Sequence, residues 1–229
     1  MCLYQDWFAL DILYVLLPAQ RRFEIMDSKY KSIIQDNLAK VFQSESQDLA
    51  LRLGADRVEA GYIFAAFGRS CLLTKDGVYL DGAIQEGPVG VLISLYALTA
   101  STEDIRLQPF VAFKDLPNSM PYQGAFSVNA EMILVPHVQA LAEWRDLIMK
   151  RFNGHDAPEK LRGDVSFVLY PLPKIALAYI LYLADDEFPA SVTCLFSANA
   201  LSFMPLDGLA DVAEYTSKSI IELLSSAHL

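Results

Sequence analysis

Residues 163–205 read GDVSFVLYPLPKIALAYILYLADDEFPASVTCLFSANALSFMP. Val165, Phe167 and Leu169 alternate with Ser166, Val168 and Tyr170, a period of two that marks a strand. Pro171-Leu172-Pro173 is expected to break it, because proline has no N–H to give to a ladder. Residues 175–183 are apolar at both parities, as in a strand covered on both faces. Residues 184–189, ADDEFP, form the loop, and 191–196, SVTCLF, return as a third strand. Connections this short imply antiparallel pairing, since a parallel return needs a crossover of a dozen or more residues. The expected fold class is therefore α+β, with antiparallel strand meanders packed against helices.

The acidic loop is the most prominent polar feature. Asp185, Asp186 and Glu187 repel one another, so one carboxyl would titrate high if the loop were partly buried. Oxygen ligands in such a triplet can also hold a hard cation. The plainer reading is a solvated hairpin tip. Asp164 opens the first strand, so antiparallel pairing places it at the same end of the sheet as the triplet. The four carboxylates then form either a site for a polar ligand or cation, or a hydrogen-bonded cap in which aspartate accepts main-chain N–H groups.

Several segments resemble an uncharacterised prokaryotic family known as domain of unknown function 3786. They are Gly163-Asp164, Leu172-Pro173, residues 185–190 (DDEFPA), Leu195-Phe196, residues 113–117 (FKDLP) with Tyr122 and Phe126, and Gly68-Arg69. The resemblance spans roughly residues 30–224 and is most specific at the Glu-Phe-Pro and Asp-Leu-Pro segments. It implies no activity. Some relatives carry a cysteine-rich iron–sulfur segment and occur in anaerobes, which implies accessory work beside metal centres or redox proteins. This chain shows no such cysteine-rich segment.

The 229 residues suffice to bury a sizeable core, and 53% hydrophobic with 20% charged residues is a globular composition. A net charge of −10 disfavours nucleic acid, whose affinity comes from Lys and Arg, and disfavours an anionic membrane surface. The three cysteines, Cys2, Cys71 and Cys194, form no Cys-x-x-Cys pair and read as reduced thiols of a cytoplasmic protein. Cys71 and Cys194 fall within strands, where a thiol acts as a small buried hydrophobe.

The N-terminus differs from the rest. Residues 8–19 are apolar but include Asp11 and are too short to span a bilayer. Gln20-Arg21-Arg22 can be encoded with a purine-rich ribosome-binding sequence at a normal spacing before Met26. Residues 1–25 therefore read as a translated leader or an extension outside the core, and 26–229 as one α+β domain. A short amphipathic helix packed on the domain is the rival reading.

Asp27 or Ser28 is expected to cap a helix running to about Gln43, and residues 44–47, SESQ, have capping-box spacing for a second helix ended by Gly54. Residues 62–67, 71–74 and 78–80 read as strands with turns at Gly68 and Asp76-Gly77. Pro88 opens a helix to about Ala100. Residues 107–113 read as a strand that Pro109 confines to an edge or bulge. Residues 128–135 and 138–152 read as helices, and 209–224 as the last one. Both halves can thus be read as helix, three strands, helix, without a repeated residue motif.

Residues 114–124, KDLPNSMPYQG, form a stiff polar loop in which Lys114, Asp115 and Tyr122 are candidate binding residues, or else a structural crossover. The chain has no Walker loop, no Gly-x-Gly-x-x-Gly, no His-Glu-x-x-His and no Gly-x-Ser-x-Gly. His137, His155 and His228 are scattered, which disfavours a histidine-rich metal site. A pairing of Cys71 or Cys194 with His137 has no support in spacing.

Three classes of function follow. One is a non-enzymatic accessory or ligand-binding domain. A second is a carboxylate enzyme, Mg²⁺-assisted or acid–base, using Asp164, Asp185, Asp186 and Glu187. The third is an interaction module for an unknown protein partner. The residues name no cofactor.

Overall fold

The computed structural model describes residues 19–43 and 48–227. Helix α1 is Ala19–Gln43, so it starts before the expected caps at Asp27 and Ser28. No glycine or proline interrupts residues 19–43, and the Gln, Arg, Glu and Met before Asp27 are good helix formers, so nothing local stops the helix there. The leader reading of residues 1–25 falls mostly on 1–18, outside the described residues, as does the capping box at 44–47. Helix α2, Leu49–Leu53, ends at Gly54 in the left-handed conformation, as expected.

The first sheet is a plain antiparallel meander of β1 (Asp56–Val58), β2 (Gly61–Ala66), β3 (Arg69–Leu73), β4 (Val78–Leu80) and β5 (Ala83–Ile84). Two of its turns hold only two residues. Phe67 and Gly68 join paired Ala66 and Arg69, and Asp81 and Gly82 join paired Leu80 and Ala83. All four have positive φ, between 48° and 81°, as the tight hairpin turn matching strand twist requires. Asp81 ties the two turns together, its carboxylate accepting the Ser70 N–H at 3.0 Å and Arg69 Nε at 2.8 Å. Helix α3 (Pro88–Thr99) is buried along most of its length, with α1 laid on it through Ile34, Leu38 and Val41. At the centre of that contact Asn37 Nδ2 donates to Ser94 Oγ at 3.1 Å.

The second half carries β6 (Val111–Ala112), short 3-10 turns at Phe113–Asp115 and Met120–Tyr122, and one turn of helix, α4 (Gln123–Phe126). A π-helical turn, Ser127–Glu131, and a 3-10 stretch, Met132–His137, follow. Then come α5 (Val138–Glu143), α6 (Arg145–Arg151), β7 (His155–Asp156), β8 (Val165–Leu172), β9 (Ile175–Tyr182), β10 (Ser191–Phe196) and α7 (Leu206–Ala227). The second sheet is antiparallel with order β6-β10-β9-β8-β7. Each half thus holds a five-stranded antiparallel sheet among helices, but the strand orders differ.

Four expectations need correction. Pro171 does not end β8. The ladder shifts between Leu169 and Leu172, and there Pro171 gives only its carbonyl, which accepts the Phe67 N–H at 2.7 Å. A missing N–H does no harm at such a bulge. The strand foreseen over 107–113 shrinks to Val111–Ala112, because residues upstream bond to the turn after β10 instead: the Arg106 N–H donates to Asn199 Oδ1. The helix foreseen over 128–135 is a π turn followed by a 3-10 stretch with Pro136 inside it. The helix foreseen over 138–152 breaks at Trp144.

One contiguous core runs from Ile34 to Leu224. The inner face of β8–β10 packs with α7, where Leu209, Val212, Ala213 and Ile220 are fully buried. The outer face shows Val168, Ala176 and Ala178, which Ile105, Leu107, Phe110, Ala157 and Leu161 cover. Both faces of β9 are therefore covered, as its unbroken apolar run implies. Lys174, at the turn into β9, is buried and clamps the 101–104 loop by donating to the Ser101 and Glu103 carbonyls. No helix among the described residues is long and apolar enough to cross a membrane.

Candidate functional site

The pairing of Val165 with Leu181 brings Asp164 to the acidic loop. Its Oδ2 accepts the Leu183 N–H at 2.7 Å. Asp185 Oδ1 accepts the N–H groups of Glu187 at 2.8 Å and Phe188 at 2.7 Å. These donors, Phe188 first, hold the Asp185 carboxyl below the usual range. Asp164, Asp185, Asp186 and Glu187 are all exposed, and no three His, Cys, Asp or Glu side chains among the described residues are gathered as a metal ion would need. Gly163 precedes this cap because a Cβ there would meet Ile180 Cγ2 at 2.6 Å and the Leu181 carbonyl at 2.8 Å. Asp185→Asn is expected to lower the melting temperature at pH 7. A carboxyl whose pKa falls on folding gives stability above its unfolded pKa and loses it as pH drops through the folded one. The gap to wild type should therefore narrow in scans below about pH 4.

Lys114, Asp115 and Tyr122 are not part of that loop. Lys114 and Asp115 are exposed on a 3-10 turn, where the Lys114 carbonyl accepts Ser119 Oγ at 3.0 Å. Lys114 lies by Glu131, whose Oε1 accepts the Cys194 N–H at 3.1 Å. Burial pushes the Glu131 carboxyl up, and that N–H opposes it. Tyr122 lines a small cleft against α7 with Asn129, Asp207, Asp211 and Glu214. Cys71 and Cys194 are buried free thiols. Burial pushes Cys71 up to about 12 and raises Cys194 as well, which leaves both as unreactive thiols at neutral pH.

A different place has the form of a site. The tips of the two tight hairpins, the end of α6 and the C-terminal half of α7 enclose a cleft of about 660 Å³, within the usual size of ligand pockets. Phe67, Phe152, Tyr215, Val89 and Leu223 give it an apolar floor. Arg69 and Arg151 bring two guanidinium groups, Asp81 and Glu222 two carboxylates, and Ser219 and Ser226 two hydroxyls. Arg69 is already paired with Asp81. The exposed Arg151 guanidinium makes no hydrogen bond or close ion pair among the described residues, although, after Arg69 and the Ser70 N–H, its charge helps hold the Asp81 carboxyl low. Its stem lies over the hairpin turn: a Cβ on Gly68 would meet Arg151 Cγ at 2.8 Å and the Arg151 carbonyl at 3.0 Å. Gly68 therefore has two reasons to be glycine, its φ of +71° and the passage of this side chain. Phe67, a bulky residue held at φ +51°, is anchored by the Pro171 carbonyl and by ring contact with Tyr215 at 5.8 Å.

A family model described as Domain of unknown function (DUF3786) matches residues 45–219. The chain belongs to this family. The match is narrower than the resemblance first drawn over 30–224, and it contains every segment that carried it. No curated protein and no solved structure matches the chain. In this DUF3786 chain most of those segments have structural work. Gly163-Asp164 and Asp185 build the hairpin cap, and Phe113, Phe126 and Phe196 form one ring cluster. Gly68-Arg69 is the exception, since it shapes the cleft. In the sequence Gly68-Arg69 reads only as a turn, and nothing marks Arg151, which ends a helix just before Asn153-Gly154. A glycine-arginine pair at a hairpin turn is the signal in the sequence; Arg151 carries none.

Proposed function

We propose that the DUF3786 chain is a cytoplasmic, non-enzymatic ligand-binding accessory domain, built as one α+β unit, whose ligand carries an anionic group bound at Arg151. The observation that carries this is the Arg151 guanidinium, without a hydrogen bond or close ion pair among the described residues and held over Gly68 at the edge of a cleft with an aromatic floor. A planar fork of donors beside apolar surface suits a carboxylate or phosphate with an apolar body. The buried free thiols support a reducing compartment. Work beside a metal-centre or redox protein of anaerobes rests on the family resemblance alone.

The enzyme reading at the acidic loop has weaker support, because Asp164 and Asp185 already accept main-chain N–H groups. The interaction reading draws on Phe188, 66% exposed beside the acidic triplet. Thermal-shift titration with acetate, benzoate, phenylphosphate and inorganic phosphate tests the proposal. Ligand at about 100 times its Kd should add roughly 2.7 kcal/mol to wild type. Arg151→Gln, an exposed substitution, should leave the unliganded unfolding free energy within about 0.5 kcal/mol of wild type and abolish the shift. A turnover that Asp185→Asn abolishes would overturn the reading.

A further inference from the structure

Resting on that reading of the cleft, we infer that its ligand is a zwitterion of the amino-acid or short-peptide class, with free carboxylate, free ammonium and apolar side chains between them. The charges of the lining carry the argument. Arg69 and Asp81 neutralise each other at 2.8 Å. Beyond that pair the lining holds one further cation, Arg151 at the end of α6, whose charge reaches Asp81 without forming a close ion pair, and one further anion, Glu222 on α7. Glu222 forms no ion pair among the described residues, and neither does Arg151, so the two do not close on each other. They border the cleft from different elements with Tyr215, Phe67 and Leu223 also lining it.

A simple anion drawn to Arg151 also meets Glu222 in the same cleft and is repelled by it, while Asp81 is compensated by Arg69. A ligand with its own ammonium turns the Glu222 term from repulsion to attraction. The α7 residues on the cleft, from Tyr215 to Ser226, cover eleven rises of helix, or roughly 16 Å. That length of α7 gives an extended ligand a wall several bonds long on the Glu222 side of the cleft. The hydroxyls of Ser219 and Ser226 lie along the same face; Ser226 Oγ already donates to the Glu222 carbonyl at 2.9 Å, so it offers a ligand N–H its lone pairs. Backbone amides and apolar side chains between the charges would match a lining that mixes hydroxyls with aromatic surface.

The test uses the full chain and matched probes: leucyl-phenylalanine, its N-acetyl form, which lacks the cation, and its C-terminal amide, which lacks the anion. L-phenylalanine, 3-phenylpropanoate and 2-phenylethylamine form the same set at smaller size. Calorimetric titration should show the zwitterion of at least one set binding at least about tenfold more tightly than either partner, the usual scale for one charge-assisted contact. Glu222→Gln should erase the preference over the acetylated or deaminated probe while leaving that probe's own affinity unchanged or improved. Arg151→Gln should erase the preference over the amide or amine. Both variants change exposed side chains, and an unaltered melting curve shows that they fold. If carboxylate-only probes bind wild type as well as the zwitterions, and Glu222→Gln changes nothing, the zwitterion inference fails while the anion site stands. If no probe binds, and neither do benzoate and phosphate, the reading of the cleft fails with it.

Discussion

Asp211→Asn raises the stability of the domain at pH 8 and leaves it nearly unchanged at pH 4. Asp211 sits on α7 between Asp207 and Glu214, in the small cleft that Tyr122 and Asn129 close from the other side. Burial, then repulsion from Glu214 and Asp207, pushes its carboxyl up to about 7; Lys218 opposes this, but its Nζ is held by Glu214 at 2.6 Å. A carboxyl whose pKa rises on folding binds its proton more tightly in the native state. Stability therefore falls as pH climbs from the unfolded pKa near 4 through about 7, and below that window the burden is absent. A rise of about three units bounds the gain from the substitution at roughly 4 kcal/mol, and incomplete burial brings the expected value to about 2 kcal/mol. Asparagine fills the same space as the neutral acid, so the comparison isolates the charge. Urea denaturation at several pH values checks it. A stability difference that stays flat from pH 4 to pH 8 would sink the assignment. Glu131, also raised by burial, keeps a residual slope of the same sign in the variant.

The residues that were easy to read are those whose signal is local. In 163–196, alternation, a proline turn and an acidic loop fall in one continuous stretch, and β8, β9 and β10 follow it closely. The two-residue strands β5, β6 and β7 were illegible as strands or overdrawn, because two residues cannot show a period and pair only where a neighbouring strand reaches them. The stretch 113–137 misled for another reason. Its apolar residues have helical spacing, but the chain changes among 3-10, α and π turns to seat Phe113, Phe126 and Ala130 in the core while Glu131 reaches Cys194. β6 pairs with β10 only at Leu195 and Phe196, so the Cys194 N–H takes a side-chain acceptor where the ladder has ended. That requirement is tertiary and leaves no periodic trace.

The candidate site was legible only in part for a related reason. Antiparallel pairing predicts that Asp164 lies at the same end of the sheet as the acidic triplet, and its carboxylate bonds the Leu183 N–H, two residues before Asp185. Their chemistry was not predictable, since the choice between a site and a cap depends on which N–H groups point inward. The cleft joins a hairpin turn, the end of a short helix and the last turns of α7, three places with no shared pattern in the chain. A lone arginine near a helix end looks like any solvated charge until Gly68 is seen to make room for it.

Phe196→Ala should be the most damaging single truncation in the second sheet. Phe196 is fully buried at the end of β10. Its ring centroid is 6.0 Å from Phe113 and 5.8 Å from Phe126, and those two stack at 4.3 Å with planes 7° apart. Removing it leaves a cavity among three elements, β10, the 3-10 turn after β6, and α4, none of which can close in without losing the Phe113–Phe126 stack. A truncation of this kind costs about 3–5 kcal/mol, the transfer of the lost atoms plus the residual cavity. Phe188→Ala, at the exposed hairpin tip, should change stability by no more than about 0.5 kcal/mol, although both positions lie in segments that carry the family resemblance. Urea unfolding of the two variants side by side decides the matter. A loss below about 1 kcal/mol at Phe196 would mean that the helical stretch 113–137 is held to the sheet by something other than these rings. The expected contrast assigns the Phe-Lys-Asp-Leu-Pro and Leu-Phe segments to the joint between that stretch and the sheet, and leaves binding to the opposite problem of Arg151, a side chain kept out of the core.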